Sequence, residues 1–155
     1  MIKINVITKN IYWKNYIKQP NNYIDKKITK LNVKIKKLKK KNIYCTLLLS
    51  GNNEIKKLNK KFRNKNKTTD VLSFPFYSKK ELQNKLKKDV EIYLGDIIIN
   101  LNKIKNKKIL KKFHYEFDLL WIHGLVHLFG YDHKKDEEYV KMTRIEKKYI
   151  KLINE

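Results

Sequence analysis

The stretch "HGLVHLFGYDH", residues 123–133, holds three of the chain's four histidines, and the rest of the sequence is read outward from it. His123 and His127 are four residues apart, which on a helix puts both imidazoles on one face, a single turn apart, close enough to share one ion. Gly130 stands where a left-handed residue stops a helix and reverses the chain. That reversal brings His133 back over the same face as a third ligand. Three imidazoles suit zinc, and three protein ligands leave a fourth tetrahedral position open, as in catalytic rather than structural sites. Asp132 either orients an imidazole from behind or caps the turn. His114, nine residues before His123, falls off this face and is left out of the set.

Upstream of the histidines the pattern is helical from about Lys103 to Phe129, with an interruption allowed, and Gly130 ends it. Before that, "EIYLGDIIIN" (91–100) reads as a strand whose apolar run suggests burial on both faces. "DVLSFPF" (70–76) reads as another strand, with Pro75 ending it or marking a sheet edge. Between them, "SKKELQNKLKKD" (78–89) is polar and reads as an exposed loop or ragged helix. "IKINVI" (2–7) and "NIYCTLLLS" (42–50) supply two more strands. Ile24, Ile28, Leu31, Ile35 and Leu38 recur at spacings of four and three, marking one face of a helix over Tyr23–Lys41. A coiled coil is the rival reading there, but about two heptads is short for one. A short helix with Ile55 and Leu58 inward should follow Gly51-Asn52. After the histidines, Asp136 is placed to cap a last helix carrying Tyr139, Met142, Ile145, Tyr149 and Leu152. The lysine runs at 36–41 and 85–88 read as solvated faces or loops. Strands and helices come in mixed rather than strictly alternating order, so the fold class is α+β, with the metal site at the end of a central helix.

At 155 residues the chain fits one domain, 1–155, with enough length for a hydrophobic core. Its single cysteine, Cys45, excludes a disulfide framework and a cysteine zinc site, and lies in an apolar run that suits a small buried side chain. The N-terminal "MIKINVITKN" alternates apolar and polar residues, unlike a signal peptide, and no apolar run reaches membrane-spanning length. A soluble, cytoplasmic protein without a membrane partner is expected. The net charge of +23, from 38 basic residues against 15 acidic ones, favours a polyanion such as RNA or DNA. Only two of the basic residues are arginine, Arg63 and Arg144, and lysine stands beside abundant Asn, Ile and Tyr, the composition an AT-rich genome gives at tolerant positions. Charge therefore supports nucleic-acid binding without establishing it. The chemistry is narrowed by Gly124, which stands where zinc peptidases of the H-E-x-x-H type keep a glutamate base. A phosphodiester hydrolase fits better, since a metal polarises a phosphoryl oxygen and a cation stabilises the charge that develops.

"HGLVHLFGYDH" resembles the H-G-x-L-H-L-x-G-Y-D-H signature of the YbeY endoribonucleases, with Val126 in place of the usual leucine. "LNKKFRNKNKTTDVLSFPF" (58–76) and "LGDIIIN" (94–100) are similar to two further segments of that family, in the same order and spacing. The matches run from about Leu58 to His133, half the chain. The resemblance implies a small mixed four-stranded sheet packed with helices. It implies a zinc-dependent, single-strand-specific endoribonuclease acting on rRNA 3′ ends and in ribosome quality control, with rRNA and ribosomal subunits as partners. His123, His127 and His133 would hold one zinc per chain, and Arg63 would be the functional arginine near the cleft, where a planar fork suits phosphate. Asp70, Ser73 and Asp96 are expected to fix a turn and strand edges. Two other readings stay open: a ribosome-assembly factor that binds RNA around a structural zinc with little hydrolysis, and a zinc hydrolase of another substrate.

Overall fold

The computed structural model describes every residue except 36, 37 and 39. Four strands, β1 (Ile2–Thr8), β2 (Asn42–Ser50), β3 (Val71–Pro75) and β4 (Glu91–Asn100), form one sheet in the order β1-β2-β4-β3. β1–β2 and β2–β4 pair in parallel and β3–β4 antiparallel, so the sheet is mixed and the fold is α+β. Among the described residues five α-helices accompany it: α1 (Pro20–Lys34), α2 (Asn52–Arg63), α3 (Lys79–Lys88), α4 (Leu110–Leu128) and α5 (Asp136–Asn154).

Strand alternation sorts the sheet into two unlike faces. Ile2, Ile4, Val6, Ile43, Cys45, Leu47, Leu49, Leu94, Ile97 and Ile99 point to one side, where α1, α4 and α5 cover them with Ile24, Ile28, Phe113, Phe117, Trp121, Met142 and Ile153 in one core. On the other side α2 covers only one end, through Ile55 over Leu72 and Ile98 with Leu48, Leu58 and Phe74 around them. The remainder of that side is bare. A bulge at Gly95 shapes it: the β2–β4 register shifts there, and φ is +129°. A Cβ on Gly95 would lie within 2.1 Å of the Phe74 carbonyl oxygen, so only glycine fits. The extra residue turns Tyr93 and Asp96, three apart, to the same face, where the Tyr93 hydroxyl donates to Asp96 at 2.6 Å.

At the outer edge of β1, Asn32 of α1 brackets Ile2, accepting from its N–H and donating to its carbonyl, both at 2.8 Å. Asn21 accepts from the Val6 N–H at 3.3 Å. The buried Asp118 carboxylate joins α1 to α4: Tyr23 and Trp121 donate to one oxygen at 3.0 and 2.9 Å, and Lys27 to the other at 2.9 Å.

Several element boundaries differ from the sequence reading. The first long helix ends at Lys34, because Ile35 leaves helical geometry; residues 36, 37 and 39 of the lysine run lie outside the described set. The helix carrying the histidines begins at Leu110 rather than near Lys103. A short 3₁₀ turn at Leu101–Lys103 comes first, and Glu116 then gathers the intervening loop by accepting from the Lys105 and Asn106 N–H groups at 2.8 and 3.1 Å. The polar 78–89 segment is a regular helix, held by a capping box in which Ser78 and Glu81 serve each other's N–H groups and Leu82 enters the core. Asp136 is the first residue of α5 rather than its cap, and Tyr139 is exposed while Met142, Ile150 and Ile153 face inward.

Candidate metal centre

His123 and His127 project from the last two turns of α4, and their rings meet with centroids 4.6 Å apart. Gly130 has φ +85°, the left-handed turn that its place after the helix implies. A Cβ there would lie 3.3 Å from Lys79 Cγ at the start of α3, so the turn is packed as well as bent. The reversal sets the His133 ring 5.0 Å from that of His127. One ligand atom from each of the three histidines lies within 4.8 Å of the others.

Their hydrogen bonds settle which nitrogens face the centre. His127 Nδ1–H donates to the Tyr131 carbonyl at 2.9 Å, an atom that only accepts, and His123 Nδ1–H donates to the Glu146 carboxylate of α5 at 2.7 Å. Each Nε2 is therefore left with its lone pair, and the two stand 3.1 Å apart. Facing lone pairs at that distance repel unless a cation lies between them. Two nitrogens bound to tetrahedral zinc at about 2.05 Å stand roughly 3.3 Å apart, so the pair is spaced for such an ion. Burial, then the neighbouring His123, hold His127 below the ordinary imidazole pKa despite the Tyr131 carbonyl, which keeps its lone pair available near neutrality. Among the described residues the group offers three imidazole donors that could hold an ion, with His133 exposed at the rim.

Glu146 is a site residue that the sequence reading missed. It lies on another helix, and only the packing of α5 on α4 brings it to His123. Asp132, weighed for that role, instead accepts from the His133 N–H at 2.8 Å and caps the turn. His114 points away, its Nε2 against the Tyr16 carbonyl at 2.9 Å. Cys45 is buried, and that burial, with Asp96 nearby, pushes its thiol up to about 12, far from nucleophilic. Arg63 ends α2 outside the histidine cluster; its Nη2 donates to the Ser73 carbonyl at 3.1 Å and its guanidinium lies 5.7 Å from the Phe74 ring centre. Asp70 caps the entry to β3, accepting from the Val71 N–H at 2.8 Å.

Gly124, beside the first histidine, faces β4: a Cβ on it would come within 2.6 Å of Ile97 Cγ2. A glutamate base of the peptidase kind has no room there.

The family model described as "Endoribonuclease YbeY" matches residues 8–154. The chain belongs to the YbeY family. An endoribonuclease YbeY of Pelagibacter ubique is 43% identical over 99% of this chain and 97% of that protein. Another, from Thermodesulfovibrio yellowstonii, is 36% identical over 81% of this chain and 74% of its own length. Among solved structures, the solution structure of TM1509 from Thermotoga maritima covers 99% of this chain and 89% of that one, with a TM-score of 0.59 and 28% identity. YbeY membership thus covers the parts of the chain whose resemblance was one of pattern alone, α1 and α5 included. No helix among the described residues is long and apolar enough to cross a membrane.

Proposed function

We propose that this protein is a zinc-dependent endoribonuclease that cuts single-stranded RNA, acting on rRNA 3′ ends and in ribosome quality control in the cytoplasm. The observation that carries the reading is the pair of inward Nε2 lone pairs 3.1 Å apart, completed by His133. Family membership and relatives named endoribonuclease YbeY support RNA as the substrate. His123, His127 and His133 would hold the ion, which supplies Lewis-acid chemistry toward a phosphodiester. Three protein ligands favour this over a structural zinc in an assembly factor, where a fourth protein ligand closes the site.

The chain's own groups supply the rest. Glu146 and the Tyr131 carbonyl fix the imidazole tautomers. Arg63, clamped between the Ser73 carbonyl and Phe74, presents a planar fork for a phosphate, and its charge stabilises the negative oxygens of the transition state. The test is cleavage of single-stranded RNA by purified protein with and without added zinc. His127→Ala should abolish it. Arg63→Lys keeps the charge but loses the fork, so at saturating RNA cleavage should fall roughly tenfold or more with affinity largely retained. Normal cleavage by Arg63→Lys would reduce that arginine to a surface cation.

A further inference from the structure

The end of the sheet face that α2 leaves bare carries a row of aromatic rings, of which only Phe74 and Tyr77 also pack against the core. Tyr44 of β2 stands in register with Tyr93 of β4. Tyr93 reaches Phe76, just past β3, at 5.8 Å between centroids, and Phe76 meets Tyr77 at 5.0 Å. Toward α2, Phe74 meets Phe62 at 5.2 Å. Phe62 and Phe76 are 58% and 66% exposed, a poor use of phenylalanine unless something covers them. Cations are interleaved with the rings: Lys61 Nζ lies 5.2 Å from the centre of Phe62 and the Arg63 guanidinium 5.7 Å from that of Phe74. Thr46 and Asp96, tied together through the Tyr93 hydroxyl, put polar groups between them.

We propose that this bare face is a platform for single-stranded RNA, on which bases stack against Phe76, Tyr93 and Phe62 while Lys61 and Arg63 meet the backbone. The proposal deepens the RNA reading and rests on it. Charge selects the occupant. The chain carries +23, and exposed rings alternating with cations match a strand whose bases offer π faces and whose phosphates are anionic. An apolar protein segment would leave those cations buried without partners. A duplex has its bases already stacked and offers the rings nothing. The platform also leads toward the metal centre: from Phe76 and Tyr77 the chain enters α3, whose Lys79 packs against the Gly130 turn between His127 and His133.

The probe is a short single-stranded RNA carrying one 2-aminopurine, whose fluorescence is quenched on stacking, titrated with the full-length protein as purified and checked by gel to be uncut. Wild-type protein should bind and quench. Phe76→Ala and Phe62→Ala should each lose about fivefold or more in affinity together with the quenching. Phe76→Trp should restore both, which no simple loss of charge or fold explains. A duplex of the same sequence should bind without sensitivity to Phe76→Ala. Both positions are exposed, so the variants should keep the wild-type circular dichroism. Alanine variants that bind and quench like wild type, or an equal loss toward the duplex, would overturn the platform. Failure of the endoribonuclease reading looks different: stacking remains while zinc-dependent cleavage is absent.

Discussion

His123 shows how much of a candidate metal site lies outside its ligand set. Its Nε2 faces the centre only because Glu146 accepts a hydrogen bond from Nδ1–H at 2.7 Å. Glu146→Leu removes the acceptor, so nothing on α5 holds the proton on Nδ1. We expect zinc affinity to fall roughly ten- to a hundredfold with little change in fold, measured by competition with a chromophoric chelator. Affinity like that of wild type would mean that the carboxylate does not set the tautomer. At this scale the histidines were legible, because a four-residue spacing and a glycine are local facts. Glu146 was not, because 23 residues and a helix–helix contact separate it from His123.

At the scale of elements, the contact between α4 and β4 controls the site. Gly124 lets the helix settle on Ile97, and this close approach fixes the height of the two histidines beside it. Gly124→Ala should cost on the order of 1–2 kcal/mol, the clash with Ile97 Cγ2 outweighing the better helix propensity of alanine. The double variant Gly124→Ala/Ile97→Ala should be less destabilised than the sum of the single variants, as urea unfolding would reveal. The start of α4 responds to pH. Partial burial pushes the Glu116 carboxyl up, but the hydrogen bonds from Lys105 and Asn106 outweigh it and hold the group below the ordinary carboxylate range. A depressed folded pKa contributes stability above the unfolded value of about 4.3, and that contribution is lost as pH falls through the folded pKa. Glu116→Gln should therefore be less stable than wild type at neutral pH, and the gap should close below about pH 4; a gap independent of pH would dismiss the ionised carboxylate as its cause. The α3 cap was written in the sequence as S-x-x-E, yet an almost wholly polar composition masked it, since one buried leucine leaves hardly any periodicity.

For the whole molecule, the four strands were legible from alternation or from apolar runs between turn residues, but their order was not. Parallel pairing of β2 with both β1 and β4 depends on crossovers that no local pattern records, and the bulge at Gly95 breaks the period-two count besides. The buried carboxylate of Asp118 was likewise invisible, because its partners come from α1 as well as α4. Asp118→Asn should cost about 3 kcal/mol, since Lys27, Tyr23 and Trp121 all lose an anionic acceptor. Lys27→Met should cost at least as much, because both neutral donors go to Oδ1 and the other oxygen of the buried carboxylate is left with neither donor nor counter-charge. A nearly unchanged stability of Lys27→Met in a denaturant titration would show that the two neutral donors alone hold the carboxylate. The asparagines of α1 bear on the molecule's behaviour in a crowd. A free strand edge is a template on which other chains can grow, and at high protein concentration it seeds aggregates. By occupying both polar groups of Ile2 and the N–H of Val6, Asn32 and Asn21 cover part of that template with side chains rather than with another strand. Part of an asparagine content that reads as genomic drift therefore blunts the β1 edge of the sheet.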